Sequence, residues 1–127
     1  MTLEGYIGPP LPQQAREFIA GWRAFRERFV SGLELPSLDD ETEKQFLQLK
    51  TQILSRSRVI DLVSEGEWGL HNKIKGILNN LQSLDFFRQE SVIFHDNMNN
   101  QWHDVFIQAS KVGAIFQHKA EEEEQEG

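Results

Sequence analysis

The stretch from Leu70 to Phe116, LHNKIKGILNNLQSLDFFRQESVIFHDNMNNQWHDVFIQASKVGAIF, decides the fold of this chain, and it contains no proline. Its apolar residues recur at steps of four and three, which places them along one side of a helix. They are Leu70, Ile74, Ile77, Leu81, Leu84, Met98, Trp102, Val105, Ala109, Val112 and Phe116. The spacing lapses between Arg88 and Asn100, so the architecture depends on how the lapse is resolved.

Three interpretations of the lapse remain open. The run His95–Asn100 holds poor helix formers whose Asn and Asp side chains favour turns, so we favour a break there. A break at Ser83 is the second, because Ser83-Leu84-Asp85 repeats the helix start at Ser37-Leu38-Asp39. The third is one continuous helix of roughly 70 Å, which the other helices would cover only in part. The favoured break predicts one helix from about Leu70 and another from about Gln101 to His118.

Two further helices are predicted upstream. The first runs from about Pro12 to Ser31, and its stripe of four aromatic residues at helical spacing predicts core rather than a ligand pocket. That stripe is Phe18, Trp22, Phe25 and Phe29. The second helix starts after Ser37 as its cap and continues to about Ser64, where a segment with two glycines ends it.

These four helices predict an all-α, up-down four-helix bundle. The alternative is a helical hairpin plus one long C-terminal helix in an oligomeric, coiled-coil-like assembly. Residues 1–11 are rich in proline and glycine and predict an extended arm before the helical domain at 12–118. Residues 119–127 hold five glutamates and predict an acidic disordered tail.

Composition restricts the function. The net charge of −7 without a basic face argues against binding to nucleic acid or to an anionic membrane surface. The chain has no cysteine, no apolar run long enough to span a membrane and no signal-peptide pattern at its N-terminus. We therefore expect an acidic cytoplasmic protein.

Motifs that carry chemistry are missing from the sequence. No phosphate-binding loop, dinucleotide fingerprint, nucleophile elbow, HExxH or Glu-x-x-His is present, so we expect neither an enzyme nor a cofactor. One metal hypothesis depends on the Asn-rich turn, which would let His95 and His103 converge while Asp96 or Asp104 completes a site. No further strong ligand stands at a fixed spacing, so we expect no metal there.

The sequence thus predicts a non-enzymatic helical module that binds another protein, as a subunit, an adaptor or a chaperone-like partner. Trp68, Tyr6 and Trp102 are the candidate partner-binding residues, because amphipathic aromatic side chains anchor protein interfaces. The apolar surplus on the helices also predicts a homo-oligomer. The alternative is a helical metal- or cofactor-binding protein that uses His and carboxylates at one bundle end.

Overall fold

The computed structural model describes residues 8–126. Five helices lie within this range: α1 (Leu11–Glu34), α2 (Asp40–Val63), α3 (His71–Asn80), α4 (Leu84–Gln89) and α5 (Val92–Glu126). All regular secondary structure in these residues is helical, so the prediction of an all-α helical bundle is confirmed.

Helix α1 is the centre of the bundle and packs against both long helices. Its contacts with α5 run in opposite sequence directions, from Arg16 on Gln117 to Arg26 on Asn99, so the two helices are antiparallel. Its contacts with α2 are antiparallel too, since Arg56 bonds to Glu17 and Arg28 to Gln45. Helix α3 packs between α2 and α5, while α4 closes the bundle beside the end of α1.

The aromatic stripe of α1 forms the core, as its spacing predicts. Each of its four rings contacts an aromatic ring from a different part of the chain, at centroid distances of 5.1–6.1 Å. The pairs are Phe18–Trp68, Trp22–Trp102, Phe25–Phe46 and Phe29–Phe87. Offset and edge-on ring pairs at such distances stabilise a fold beyond their area alone. One stripe therefore joins α1 to α5, α2, α4 and the α2–α3 loop.

Trp22 and Trp102 are linked reciprocally. The Trp22 Nε1–H donates to the Trp102 carbonyl oxygen at 3.0 Å, and the Trp102 Nε1–H donates to the Trp22 carbonyl oxygen at 2.8 Å. Their rings stack with an interplanar angle of 6°. Both indoles are buried, so each needs a partner for its N–H, and each finds it on the main chain of the opposite helix. The pair fixes the register of α1 against α5.

The favoured break at the Asn-rich run is wrong. Helix α5 continues through His95–Asn100, and the chain instead breaks at Leu81–Ser83 and at Glu90–Ser91. Ser83 caps α4 by accepting the Phe86 N–H at 3.0 Å, so the second interpretation located one break correctly. The Asn residues remain helical because their neighbours Met98 and Trp102 are buried in the core. This packing outweighs the weak helix propensity of asparagine.

Carboxylates cap two of the helices. Asp39, rather than Ser37, caps α2, and its Oδ1 accepts the Thr42 N–H at 2.8 Å. Hydrogen bonding to Thr42 lowers the pKa of Asp39 below its ordinary value. The Glu43 carboxylate reaches from α2 to the start of α4, where it accepts the N–H groups of Leu84 and Asp85 at 3.1 and 2.6 Å. The start of α2 and the start of α4 are thereby joined by charge-assisted hydrogen bonds.

The α2–α3 loop folds Trp68 into the core. Its turn uses positive φ at Glu65 (57°), Gly66 (86°) and Gly69 (62°), a region that favours glycine. The Trp68 indole N–H donates to Ser57 Oγ at 3.1 Å, and its main-chain N–H donates to Ser64 Oγ at 3.0 Å. The two buried serines therefore serve to seat this tryptophan.

The acidic end of the chain is helical. Residues 119–126 continue α5. Lys119 at the start of this segment forms an ion pair with Glu67 of the α2–α3 loop, with 2.5 Å between Nζ and Oε1. No helix within residues 8–126 combines the length and the apolar character that a membrane crossing requires.

Candidate functional site

Two of the three predicted partner-binding aromatics, Trp68 and Trp102, are buried. Trp68 is only 1% exposed and Trp102 only 6%, so both indoles belong to the core. Tyr6 lies outside the described residues. A partner surface must therefore be sought among other side chains.

The predicted metal ligands do not converge. His95 and His103 stand on the same continuous helix, eight residues and about 12 Å apart along its axis. His95 packs on α4, with its Nε2 2.6 Å from the Phe87 carbonyl oxygen, and His103, Asp96 and Asp104 are exposed. Among residues 8–126, no three His, Cys or acidic side chains are grouped closely enough to hold a metal ion. The turn that would have brought them together is absent, because α5 runs through it.

Exposed apolar side chains concentrate at one end of the bundle. Five of the ten large apolar residues with substantial exposure lie where α1 ends and α5 begins. We call this surface the apolar pole: Val30, Leu33, Leu35, Val92 and Ile93. The last two are the most exposed of the ten, at 72% and 73%.

Contacts of α4 hold the apolar pole together. The Phe87 ring packs on Phe29 of α1 and on His95 of α5, at 5.3 and 4.4 Å between centroids. Arg88 donates to the Leu35 carbonyl oxygen at 2.8 Å, which fixes the segment after α1. The segments that carry the exposed apolar side chains of the pole are thus held in place by contacts with α4.

A second surface lies in the groove between α1 and α5. Arg23 places its Cζ 5.2 Å from the Phe106 ring centroid, and Arg26 places its Cζ 5.0 Å from that of Trp102. Arg26 also donates from Nε to Asn99 Oδ1 at 2.9 Å. These five residues, with the exposed His103 beside them, form what we call the arginine cleft. Aromatic faces attract guanidinium groups, so the two cations are held in place.

Neither surface is predicted by the sequence. The arginine cleft joins α1 to α5 across about 80 positions, and helical spacing carries no information on such contacts. Arg23 and Arg26 do stand three residues apart beside the aromatic stripe, which is the available signal. For the apolar pole the signal is Val92-Ile93 directly after the capping Ser91, whose Oγ accepts the Phe94 N–H at 3.2 Å.

Comparisons of the chain with family models, with curated proteins and with solved structures find no match. A function has to be inferred from the apolar pole and the arginine cleft themselves.

Proposed function

We propose that this protein is a non-enzymatic module that binds another protein through the apolar pole, as a subunit, an adaptor or a chaperone-like partner. The observation that carries the proposal is the exposure of Val92 and Ile93, at 72% and 73%, at the same end of the bundle as Val30, Leu33 and Leu35. Exposed apolar side chains gathered at one end of a folded domain are typical of a protein-binding surface.

The supporting chemistry is that of a docking face. The exposed side chains of the pole are apolar, while Arg88 and Glu90 supply charged groups at the end of α4. Interfaces commonly combine an apolar centre with a polar rim. A partner that offers an apolar helix face or a shallow apolar groove would remove Val92 and Ile93 from water.

Capture of a partner from an extract of the source cell, using single-residue variants of the full chain, tests the proposal. Ile93→Asp places a charge at the centre of the pole and should weaken retention of the partner by about tenfold or more. Ile115→Asp is the matched control, because Ile115 is also exposed (52%) and on α5 but lies outside the pole. The control should retain the partner as the wild type does.

Circular dichroism establishes that both variants remain helical. Equal retention by Ile93→Asp and the wild type would contradict the proposal, and so would the absence of any retained protein.

A further inference from the structure

The arginine cleft holds two cations, Arg23 and Arg26, on the faces of aromatic rings. Arg56 and Lys119 form ion pairs with Glu17 and Glu67. Among the ion pairs of residues 8–126, by contrast, none includes Arg23 or Arg26. Glu27 lines the same groove without approaching either guanidinium closely enough for an ion pair.

The geometry of the cleft suits carboxylates. Each guanidinium lies over a ring, and the rings of Trp102 and Phe106 are themselves stacked at 5.3 Å. A guanidinium held against an aromatic face keeps N–H donors along its edge, and a carboxylate accepts two of them at once. In a chain of net charge −7, the cleft is a place where an acidic segment is attracted rather than repelled.

An acidic segment of suitable form stands at the other end of α5. Glu121, Glu122, Glu123 and Glu124 are consecutive, exposed and helical. The C-terminal end of a helix carries partial negative charge, so four glutamates there destabilise the helix end unless cations approach them. His118 approaches Glu122 at 3.0 Å, but it carries full charge only when protonated.

The cleft and the acidic end cannot meet within one chain. His103 and Glu122 are nineteen residues apart on one helix, which separates them by about 29 Å along its axis. A second copy placed antiparallel along α5 brings each acidic end to the other copy's cleft in one symmetric contact. The groove between the two sites is lined by Ser110, Ala114 and Gln117 of α5 and by Arg16 and Ile19 of α1.

We propose that two copies of this chain associate reciprocally, with the glutamates at 121–124 of each copy bound in the arginine cleft of the other. This contact does not rest on the proposed role of the apolar pole, which lies at the outer end of the same groove.

Sedimentation equilibrium of the full chain in low salt tests the contact. Arg23→Gln with Arg26→Gln should weaken dimerisation by about tenfold or more, because both bidentate donors are lost. Glu122→Gln with Glu123→Gln and Glu124→Gln should have the same effect from the other side. The matched control is Arg58→Gln with Lys75→Gln, which removes two exposed cations elsewhere and should leave the dimer unchanged.

A charge exchange makes the test specific. Arg23→Glu with Arg26→Glu should be monomeric, and so should Glu122→Lys with Glu123→Lys and Glu124→Lys. A mixture of the two variants should sediment as a dimer, because the reversed tail then meets the reversed cleft. A wild-type monomer at every concentration would overturn the proposal, and so would a dimer insensitive to the cleft variants. A monomer that binds added polyglutamate would assign the cleft to a foreign acidic partner instead.

Discussion

Among single residues, Trp22 joins α1 to α5 both by ring stacking and by a hydrogen bond. It is fully buried, it stacks on Phe18, Phe25 and Trp102, and its indole N–H is bonded across to α5. The buried ring of Trp22 and its hydrogen bond both stabilise the contact between α1 and α5. A substitution that keeps an aromatic ring but removes the N–H separates the two contributions.

Trp22→Ala should lower the free energy of unfolding by about 3–5 kcal/mol, because it leaves a large cavity. Trp22→Phe keeps an aromatic ring but loses the bond to the Trp102 carbonyl oxygen, so its cost should fall between that of alanine and the wild type. Urea denaturation followed by circular dichroism measures both. Ile107→Ala, at a half-exposed site, is the control and should change stability by less than about 0.5 kcal/mol. An unmoved midpoint for Trp22→Ala would show that Trp22 is not in the core.

Asp39 should make the start of α2 sensitive to acid. Hydrogen bonding to Thr42 lowers its pKa in the folded protein below the ordinary 3.8, so the unfolded chain takes up the proton first. Its contribution to stability is therefore complete above pH 3.8 and is lost as the pH falls through the lower, folded pKa. Asp39→Asn can still cap the helix but does not titrate.

The difference in urea midpoint between the wild type and Asp39→Asn should accordingly be constant above pH 3.8 and change in favour of the variant below it. A difference that stays constant through the acid range would mean that the Asp39 cap is not formed.

Among the helices, α1 was the most predictable and the segment from 70 to 116 the least. The four aromatic residues of α1 face one way at helical spacing, and burial of such a stripe needs no knowledge of the partners. In the Asn-rich run, local helix propensity and tertiary packing oppose each other. The weak helix propensity of each Asn costs about a few tenths of a kcal/mol. The packing of α5 against α1, including the hydrogen bond from Arg26 to Asn99, outweighs this propensity cost. The surfaces were less predictable still, because the apolar pole and the arginine cleft are made of residues distant in sequence.

The Asn run therefore carries a testable asymmetry. Asn97→Ala replaces an exposed, weak helix former in the interior of α5 and should raise the free energy of unfolding by about 0.5 kcal/mol. Asn99→Ala has the same gain in propensity but gives up the bond from Arg26, so it should gain less. Thermal denaturation of the two variants compares them directly. Equal gains would indicate that the Arg26–Asn99 bond contributes nothing to stability.

Two helical glycines report on how closely the helices approach. At Gly76 of α3 an added Cβ meets nothing within 4 Å, so Gly76→Ala should stabilise by about 0.5–1 kcal/mol. At Gly113 of α5 an added Cβ would lie 3.3 Å from Ala15 Cβ on α1. Since Ala15 Cβ is fixed to its backbone, the helices must separate slightly, and Gly113→Ala should gain less or destabilise.

Denaturation midpoints of these two variants test the α1–α5 spacing. If Gly113→Ala stabilises as much as Gly76→Ala, α1 and α5 are too far apart for a Cβ at position 113 to lie 3.3 Å from the Ala15 Cβ.

The molecule as a whole divides into a closed aromatic bundle and an acidic helical extension. Within residues 8–126, the polar contacts of the extension beyond Lys119 are with its own helix: Gln117 donates to Glu121, and His118 approaches Glu122. Removal of residues 121–127 deletes five glutamates, and residues 121–125 are exposed. In about 0.5 M salt, where ionic contacts between copies are screened, this truncation should change the unfolding free energy by less than about 0.5 kcal/mol. Scanning calorimetry measures the change, and a large loss would show that the extension packs on the bundle.

The reciprocal tryptophan pair can form in the cell only after both tryptophans have been synthesised. Trp22 and Trp102 are 80 positions apart. A ribosome that adds about 5–20 residues per second needs roughly 4–16 s to supply the second tryptophan after the first. During that interval the aromatic stripe of α1 can be covered by α2, the α2–α3 loop and α4 as they emerge, but not by α5. We therefore expect nascent chains stalled before Val92 to bind hydrophobic dyes and general chaperones, and to lose that binding once α5 has emerged.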